Sequence, residues 1–488
     1  MTRMETQTSC NTATLAPYIP TTENPWDMYK VQSLYAKLGF GEHRVIMNSA
    51  LTKTPQQLVS ELLTEARDMP LTPAPDWGYW NRAQFDNSAN NYNYYRRQWY
   101  QQTIDDLLQN GLRERLTLFW SNHFVTELRG YFSPSYQFQY YRTLQTHALG
   151  NFKDFVHDIG LTGAMLLYLN GFQNREHSPN ENYARELYEL FTLGVNNGYT
   201  ESDITETAKA LTGWNHWSSP WSPIYFDTDT WDNDYKTIFG QTDRWKYDDV
   251  IDILFEEKGH LIAPFIARKL YKYFVSPDVN EGIVSELGQV LLDNNFELEP
   301  MLETLFLSAH FHDSTTQGVL IKSPVDLLLS FENTSGLTFN RFYNYQNLYR
   351  VYTTNLGQEL YNPIDGAGWQ ADENWVDSNT IVLRWDYLDF IIDKFKQNST
   401  DQFRNLALTM LGGNTNDHIL VTKTIVNSFL ARTLVQDSDY DEAIEVFKGE
   451  VPGNYYDNGI WDLYFDSVPD QVEGLLRYIT KLPEFQLK

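Results

Sequence analysis

Cysteine is all but missing: Cys10 is the single one in 488 residues. No internal disulfide and no cysteine-rich zinc site can form, although the compartment stays open on this ground alone. Cations are also scarce, with 37 Lys and Arg against 64 Asp and Glu and a formal net charge of -27. So acidic a surface repels phosphate backbones and anionic membranes, and nucleic acid is not an expected partner. No apolar run approaches the roughly 18 residues that a membrane-spanning helix needs. The opening, "MTRMETQTSCNTATLAPYIP", lacks the apolar stretch of a secretion signal, so the chain as written reads as cytoplasmic. The HExxH, CxxC, GxSxG and Walker-type patterns are absent as well, and with them the usual marks of nucleophile-based and nucleotide hydrolysis. The loop acids Asp227, Asp229, Asp232 and Asp234 do not form an EF-hand, because its sixth and twelfth positions fall on Asp232 and Ile238 instead of Gly and Glu.

Aromatics are abundant, at 15% of the chain with 32 Tyr and 14 Trp. Tyr and Trp suit surfaces that are both apolar and wet. The stretch Asp76–Gln102 mixes them with Asn and Gln, which fits either stacking on sugars or a partner chain, or packing beneath a long loop.

Helical periodicity runs along nearly the whole chain and strand alternation is rare. The expected fold is all-α: one large multi-helix domain over 24–488 after a flexible tail at 1–23. Expected helices include Leu112–Glu127, Pro179–Leu193 and Glu201–Leu211, then Tyr247–Glu257 and Leu261–Phe274, and Asp417–Leu434. Ser178-Pro179-Asn180-Glu181 and Ser323-Pro324-Val325-Asp326 both read as a Ser cap, Pro at the first helical position and an acid at the third. Thr200 and Asp203 repeat the cap and acid. Gly213–Gly240, rich in Trp and Asp, reads as a long loop with a short hairpin, and loops of that length tend to be functional or disordered. Leu360–Asn379 is a second irregular stretch. Gly259 is expected to end a helix between Glu257 and His260, which leaves that ExxH spacing without chemistry.

On a helical wheel, Pro179–Leu193 places Tyr183, Ala184, Leu187, Tyr188, Leu190 and Phe191 on a core face. Asn182, Glu186, Glu189 and Leu193 form a stripe on the other side, flanked by Arg185. Acids at i, i+3 repel unless a cation is near, and burial raises their pKa values. Arg185, a divalent metal or a histidine can supply the balance. His123 is that histidine, set among Leu116, Phe119, Trp120 and Phe124 on a core face. Two readings stand: His123 makes one structural hydrogen bond, or it pairs with Glu186 and Glu189 as an acid–base or metal half-site. In the second, His123, Glu186 and Glu189 hold Mg²⁺, Mn²⁺, Fe²⁺ or Zn²⁺, and Arg185 assists.

The stretches "LFWSNHF", "NENYARELYELFTLG", "YTESDITETAKALTGW", "FIARKLYKYFV", "KSPVDLLL" and "PEFQLK" resemble, in this order, the bacterial family catalogued as domain of unknown function 1800. The resemblance runs from about Asn24 to Lys488. It implies a large helical protein of a kind that is often exported and often sits beside a sulfatase- or phosphatase-like family. His123, Asn182, Arg185 and Glu186 match the family pattern. Ser121 stands where the family often has His, Trp231-Asp232 where it often has His-Asp upstream of Lys236, and Gly368-Trp369-Gln370-Ala371-Asp372 where it often has Gly-Trp-Pro-Gly-Gly. Asn122, Asn182, Glu189, Trp214 and Lys236 are accordingly taken as candidate binding positions. The expected function is accessory binding of a glycan or of a sulfatase/phosphatase-like neighbour; the alternative is a metal-assisted hydrolase built on His123 and the Glu186/Glu189 stripe.

Overall fold

The structure, a computed structural model, describes residues 13–434 and 436–488. Cys10 and the first half of the expected tail lie outside the described residues. Among those described, 23 α-helices, one π-helix, four short 3₁₀ helices and two two-stranded hairpins make up the regular structure, which is the expected all-α class. The hairpins, Trp214–His216 with Tyr225–Phe226 and Lys236–Ile238 with Gln241–Asp243, sit in and just beyond the Trp/Asp-rich excursion. No helix is long and apolar enough to cross a membrane among the described residues. One cluster of buried apolar side chains runs from Val31 to Phe485.

Several helix starts follow their caps. Thr54 with Gln57, Thr200 with Asp203 and Ser323 with Asp326 form reciprocal capping boxes, each satisfying two backbone amides that have no partner within the helix. Met28–Leu38, Arg44–Ala50 and Tyr345–Asn355 are helices beyond those expected.

Three expectations are corrected. The Ser178 cap does not form: the helix begins at Asn182, and the Asn180 side chain accepts the Asn182 N–H instead. Glu181 therefore caps nothing and accepts from the Thr205 hydroxyl at 2.8 Å. Gly259 does not end a helix either. Tyr247–Phe274 is continuous over 28 residues, with Gly259 buried against the Phe296 ring and Pro264 accommodated where Gly288 of the next helix gives it room. Leu112–Glu127 closes early, at His123.

Part of the expected tail is docked: Tyr18 is buried and donates its N–H to the Leu307 carbonyl. The aromatic stretch 76–102 packs largely on itself, with Trp77 edge-on to Tyr95 and Trp99 and Tyr95 edge-on to Phe85, while Tyr79 and Tyr94 remain exposed.

The helix that begins at Asn182 is held by a close approach. Tyr183 packs over Gly160, where an added Cβ would fall 1.6 Å from the Tyr183 hydroxyl and 2.2 Å from that of Tyr247. The two hydroxyls are hydrogen-bonded at 3.0 Å, which ties this helix to the start of Tyr247–Phe274.

Candidate functional site

After Glu186 the α-helix widens into a π-helix over Leu187–Thr192. A π-turn shifts each carbonyl by one residue relative to its usual partner and is common at functional sites. Here the carbonyls of Leu190 and Phe191, near the end of the turn, point at two side chains. Lys269 Nζ donates to Leu190 O at 3.1 Å, and His123 Nε2 lies 3.0 Å from Phe191 O. The two side chains also meet each other, with Lys269 Nζ 3.1 Å from His123 Nδ1.

These contacts fix the tautomer of His123. A carbonyl only accepts, so Nε2 carries the proton and donates to Phe191. Nδ1 is then a lone pair and accepts from Lys269. Protonating the ring would set an N–H⁺ against an ammonium in a buried place, so burial first, and Lys269 second, hold its pKa well below the usual histidine value. Burial alone pulls Lys269 down to about 8, and among the described residues no carboxylate lies within ion-pair distance of it.

Lys269 and His123 open on a cavity of about 400 Å³, within the size range of small-molecule sites. Phe119, Asn122 and His123 come from the end of the Gly111–His123 helix, and Lys272 and Tyr273 from the end of Tyr247–Phe274. Ser323 and Asp326 stand at the capped start of Pro324–Ser335. Trp369, Asp372 and Trp375 form the facing wall, and Lys488 closes one side. Asp326 is spoken for: buried Arg115 pairs with Oδ1 at 2.5 Å and Lys488 with Oδ2 at 2.5 Å. Desolvation would raise the Asp326 pKa, but Arg115 and Lys488 outweigh it and hold the carboxyl far below its usual range. The lining thus carries three lysines against two aspartates, with a neutral histidine, in a protein whose net charge is -27.

The wall is positioned by Asn122. Its Oδ1 accepts the Trp369 N–H at 2.5 Å and its Nδ2 donates to the Trp369 carbonyl. Asp372 adds a second tie by accepting the Ile321 N–H at 3.1 Å. Asn122, chosen from the sequence as a binding position, therefore lines the cavity and holds its wall.

The other sequence candidates lie elsewhere. Asn182 and Glu186 line a separate cavity of about 220 Å³ with Tyr168, Phe191 and Gly366, and Asn182 Nδ2 donates to Leu169 O. Burial and Glu189 raise the Glu186 pKa, with Arg185 opposing them. Arg185 spends its guanidinium on Glu201 at 2.7 Å, Glu189 at 3.3 Å and Glu181 at 3.4 Å along the outer face. His123 meets neither Glu186 nor Glu189: a lysine and a carbonyl occupy both its nitrogens. Among the described residues no three His, Cys, Asp or Glu side chains group as metal ligands, so the set His123, Glu186 and Glu189 is not assembled. Lys236 is fully buried and donates to the Asp232 and Asp234 carbonyls, bracing its own turn. Trp214 packs on Phe226 and Tyr247 in the first hairpin.

Phe119, Asn122, His123, Lys269, Lys272, Tyr273, Ser323, Asp326 and Lys488 sit in four of the stretches that carry the family resemblance, the π-turn carbonyls come from a fifth, and the wall of Trp369, Asp372 and Trp375 lies outside them. A family model matches residues 33–487. The chain belongs to the DUF1800 family. The description attached to that DUF1800 model is "Protein of unknown function". No curated protein and no solved structure matches the chain.

Proposed function

We propose that this DUF1800 member is a binding protein for a small organic anion with a sugar-like or flat body, held in the His123–Lys269 cavity. One observation carries the reading: the Lys269 ammonium, steered by two acceptors and free of any carboxylate partner among the described residues, faces a cavity walled by aromatic rings. An enclosed cation without a counter-charge is costly, and an incoming carboxylate, sulfate or phosphate removes that cost. Lys272 and Lys488 add positive potential beside it. Trp369, Trp375 and Tyr273 supply flat faces of the sort that stack on sugar rings. The cavity's size favours a small ligand over a folded docking partner, which narrows the glycan-binding expectation to an acidic sugar.

Calorimetry and thermal shift with glucuronate, galacturonate and glucose 6-sulfate, each against glucose, test this. The acidic sugars are expected to bind and to raise the melting temperature, since a ligand of the folded state stabilises it. Their affinity falls as salt rises. Lys272→Glu is expected to weaken them about tenfold, the equivalent of about 1.4 kcal/mol. Equal responses to glucose and to the acidic sugars, or no response to any of them, would overturn the reading.

A further inference from the structure

Lys269 has a second use for its position. As an ammonium it has three N–H bonds; as an amine it has two and a lone pair. Two directions at Nζ are already assigned, one to Leu190 O and one to His123 Nδ1, both at 3.1 Å. Neither acceptor can give a proton back, because Nδ1 of the Nε2–H tautomer and a carbonyl oxygen have none. The remaining direction at Nζ is therefore an N–H in the charged form and the lone pair in the neutral form, and Lys269 forms part of the cavity wall. The surroundings also favour the amine. Nζ is enclosed, the neutral His123 beside it adds no negative charge, and no carboxylate among the described residues lies within ion-pair distance. Lysines made nucleophilic by desolvation or a neighbouring cation are the ones that form imines.

We propose that Lys269 forms an imine with a ligand that carries an aldehyde or ketone next to its acid group, a small oxo acid, held by Lys272 and Lys488. This rests on the anion-binding reading and names the ligand class of the same cavity. The Nζ lone pair attacks the carbonyl carbon and a C–N bond forms as the C=O pair moves onto oxygen. A proton passes from nitrogen to that oxygen to give a carbinolamine. The hydroxyl then leaves with a second proton as water, and the C=N bond forms. Amine and carbonyl become imine and water, with no oxidant or reductant consumed. His123 is a positioning residue here: it keeps one N–H turned aside so that the lone pair faces the ligand.

The test uses the full chain with glyoxylate or pyruvate and sodium cyanoborohydride, which reduces an imine to a stable secondary amine. Intact-mass spectrometry is expected to show a single reduced adduct, and peptide mapping to place it on Lys269. Labelling should rise with pH through about 8, where the buried amine loses its proton. Lys269→Arg keeps a positive charge but has no comparable nucleophile, so the adduct at that position should vanish. Should that variant not fold, the map of the wild-type adduct decides alone. Adducts scattered over surface lysines, or none at Lys269, overturn the imine. If lactate, which has no carbonyl, stabilises the wild type while the oxo acids form no adduct, the anion-binding reading survives and the imine does not. Neither stabilisation nor adduct removes both. A mapped Lys269 adduct without stabilisation by lactate removes the anion reading, and with it the oxo acid as the ligand held by Lys272 and Lys488, leaving Lys269 only as a nucleophile.

Discussion

Asn122 and Trp369, 247 positions apart, are joined through one side chain: Asn122 Oδ1 accepts the Trp369 N–H at 2.5 Å and Asn122 Nδ2 donates to the Trp369 carbonyl at 3.4 Å. Asn122 is the next-to-last residue of its helix, and His123, the last, reaches in the other direction towards Phe191 and Lys269. Adjacent residues thus fix the two sides of one cavity, Asn122 the irregular wall and His123 the lysine. A one-residue shift at this helix end would disturb both.

The approach that allows this needs glycine at 368. Gly368 has φ +93°, and a Cβ there would lie 2.3 Å from Asn122 Oδ1 and 2.7 Å from Asn122 O. Gly368→Ala meets both obstacles at once, and the Asn122 carbonyl is backbone that cannot swing away. The expected cost is about 1–3 kcal/mol for the left-handed conformation, with further loss as the Trp369 wall parts from Asn122. Urea unfolding checks the first part. Weaker binding of the acidic sugars checks the second, and unchanged stability together with unchanged affinity would show that the wall is not held there.

Asp326 is expected to be among the least replaceable polar residues near the cavity. It is the shared counter-ion of Arg115 and Lys488, all three buried, and it also completes the capping box with Ser323. Asp326→Asn keeps the shape and removes the charge. Breaking a buried ion pair by removing one partner costs about 3–5 kcal/mol, because the other charge is left uncompensated. A loss below about 1 kcal/mol in urea unfolding would mean that Arg115 and Lys488 find their balance elsewhere. In the fraction that stays folded the change should raise affinity for the anion, since Asp326 repels the anion and neutralises Lys488.

The fold was largely legible in the sequence because its helices are amphipathic and punctuated. Thr200 and Ser323, each with an acid three residues on, mark their starts without help from the tertiary structure. Ser178 carries the same signal and fails: Asn174 Oδ1 takes the Asn180 N–H at 2.8 Å and Asn180 caps Asn182, so a longer-range contact displaces the local cap. Gly259 misleads for a related reason, since tertiary packing on Phe296 outweighs its low helix propensity.

The site was legible in half. His123 is conspicuous as a histidine on an apolar face, and Asn122 stands beside it. Charge points to the acids of the Asn182–Glu189 stripe as their partners. The contact is instead made by two carbonyls, Leu190 and Phe191, and a π-turn exposing backbone acceptors leaves no mark in residue type. Lys269 and Lys272 look like ordinary solvated lysines on a helix. What distinguishes Lys269 is that no acid among the described residues pairs with it, and only three-dimensional placement reveals that. Arg185, which does look functional, is occupied by Glu201, Glu189 and Glu181 on a solvent-facing surface.

Stability should rise with pH on the alkaline side of neutrality, against the habit of most proteins. Lys37 and Lys322 are enclosed, and desolvation pulls each from an ordinary value near 10.5 to about 7. Lys37 is held by the Thr316 carbonyl at 2.7 Å, and Lys322 lies 4.1 Å from the Phe485 ring centre. Below pH 7 both states carry the proton, and the folded state bears the whole cost of two buried charges. Between about 7 and 10 the folded chain releases these protons while the unfolded chain keeps them, so the unfolded state binds more protons and stability climbs as pH rises. The limit is about 1.4 kcal/mol per pH unit for each lysine. Tyrosines set the upper bound. Burial lifts Tyr29 and Tyr35 to about 12, so above their ordinary value of 10 the unfolded chain ionises first and stability turns down. Urea unfolding at pH 7, 8 and 9 should show a rising free energy, to which Lys269 and Lys488, pulled to about 8, also contribute, and Lys322→Met should reduce the rise by removing one of these protons. A flat or falling wild-type profile over that range would show that Lys37 and Lys322 keep their charge in the folded protein, and a variant as steep as the wild type would exclude Lys322 as a source.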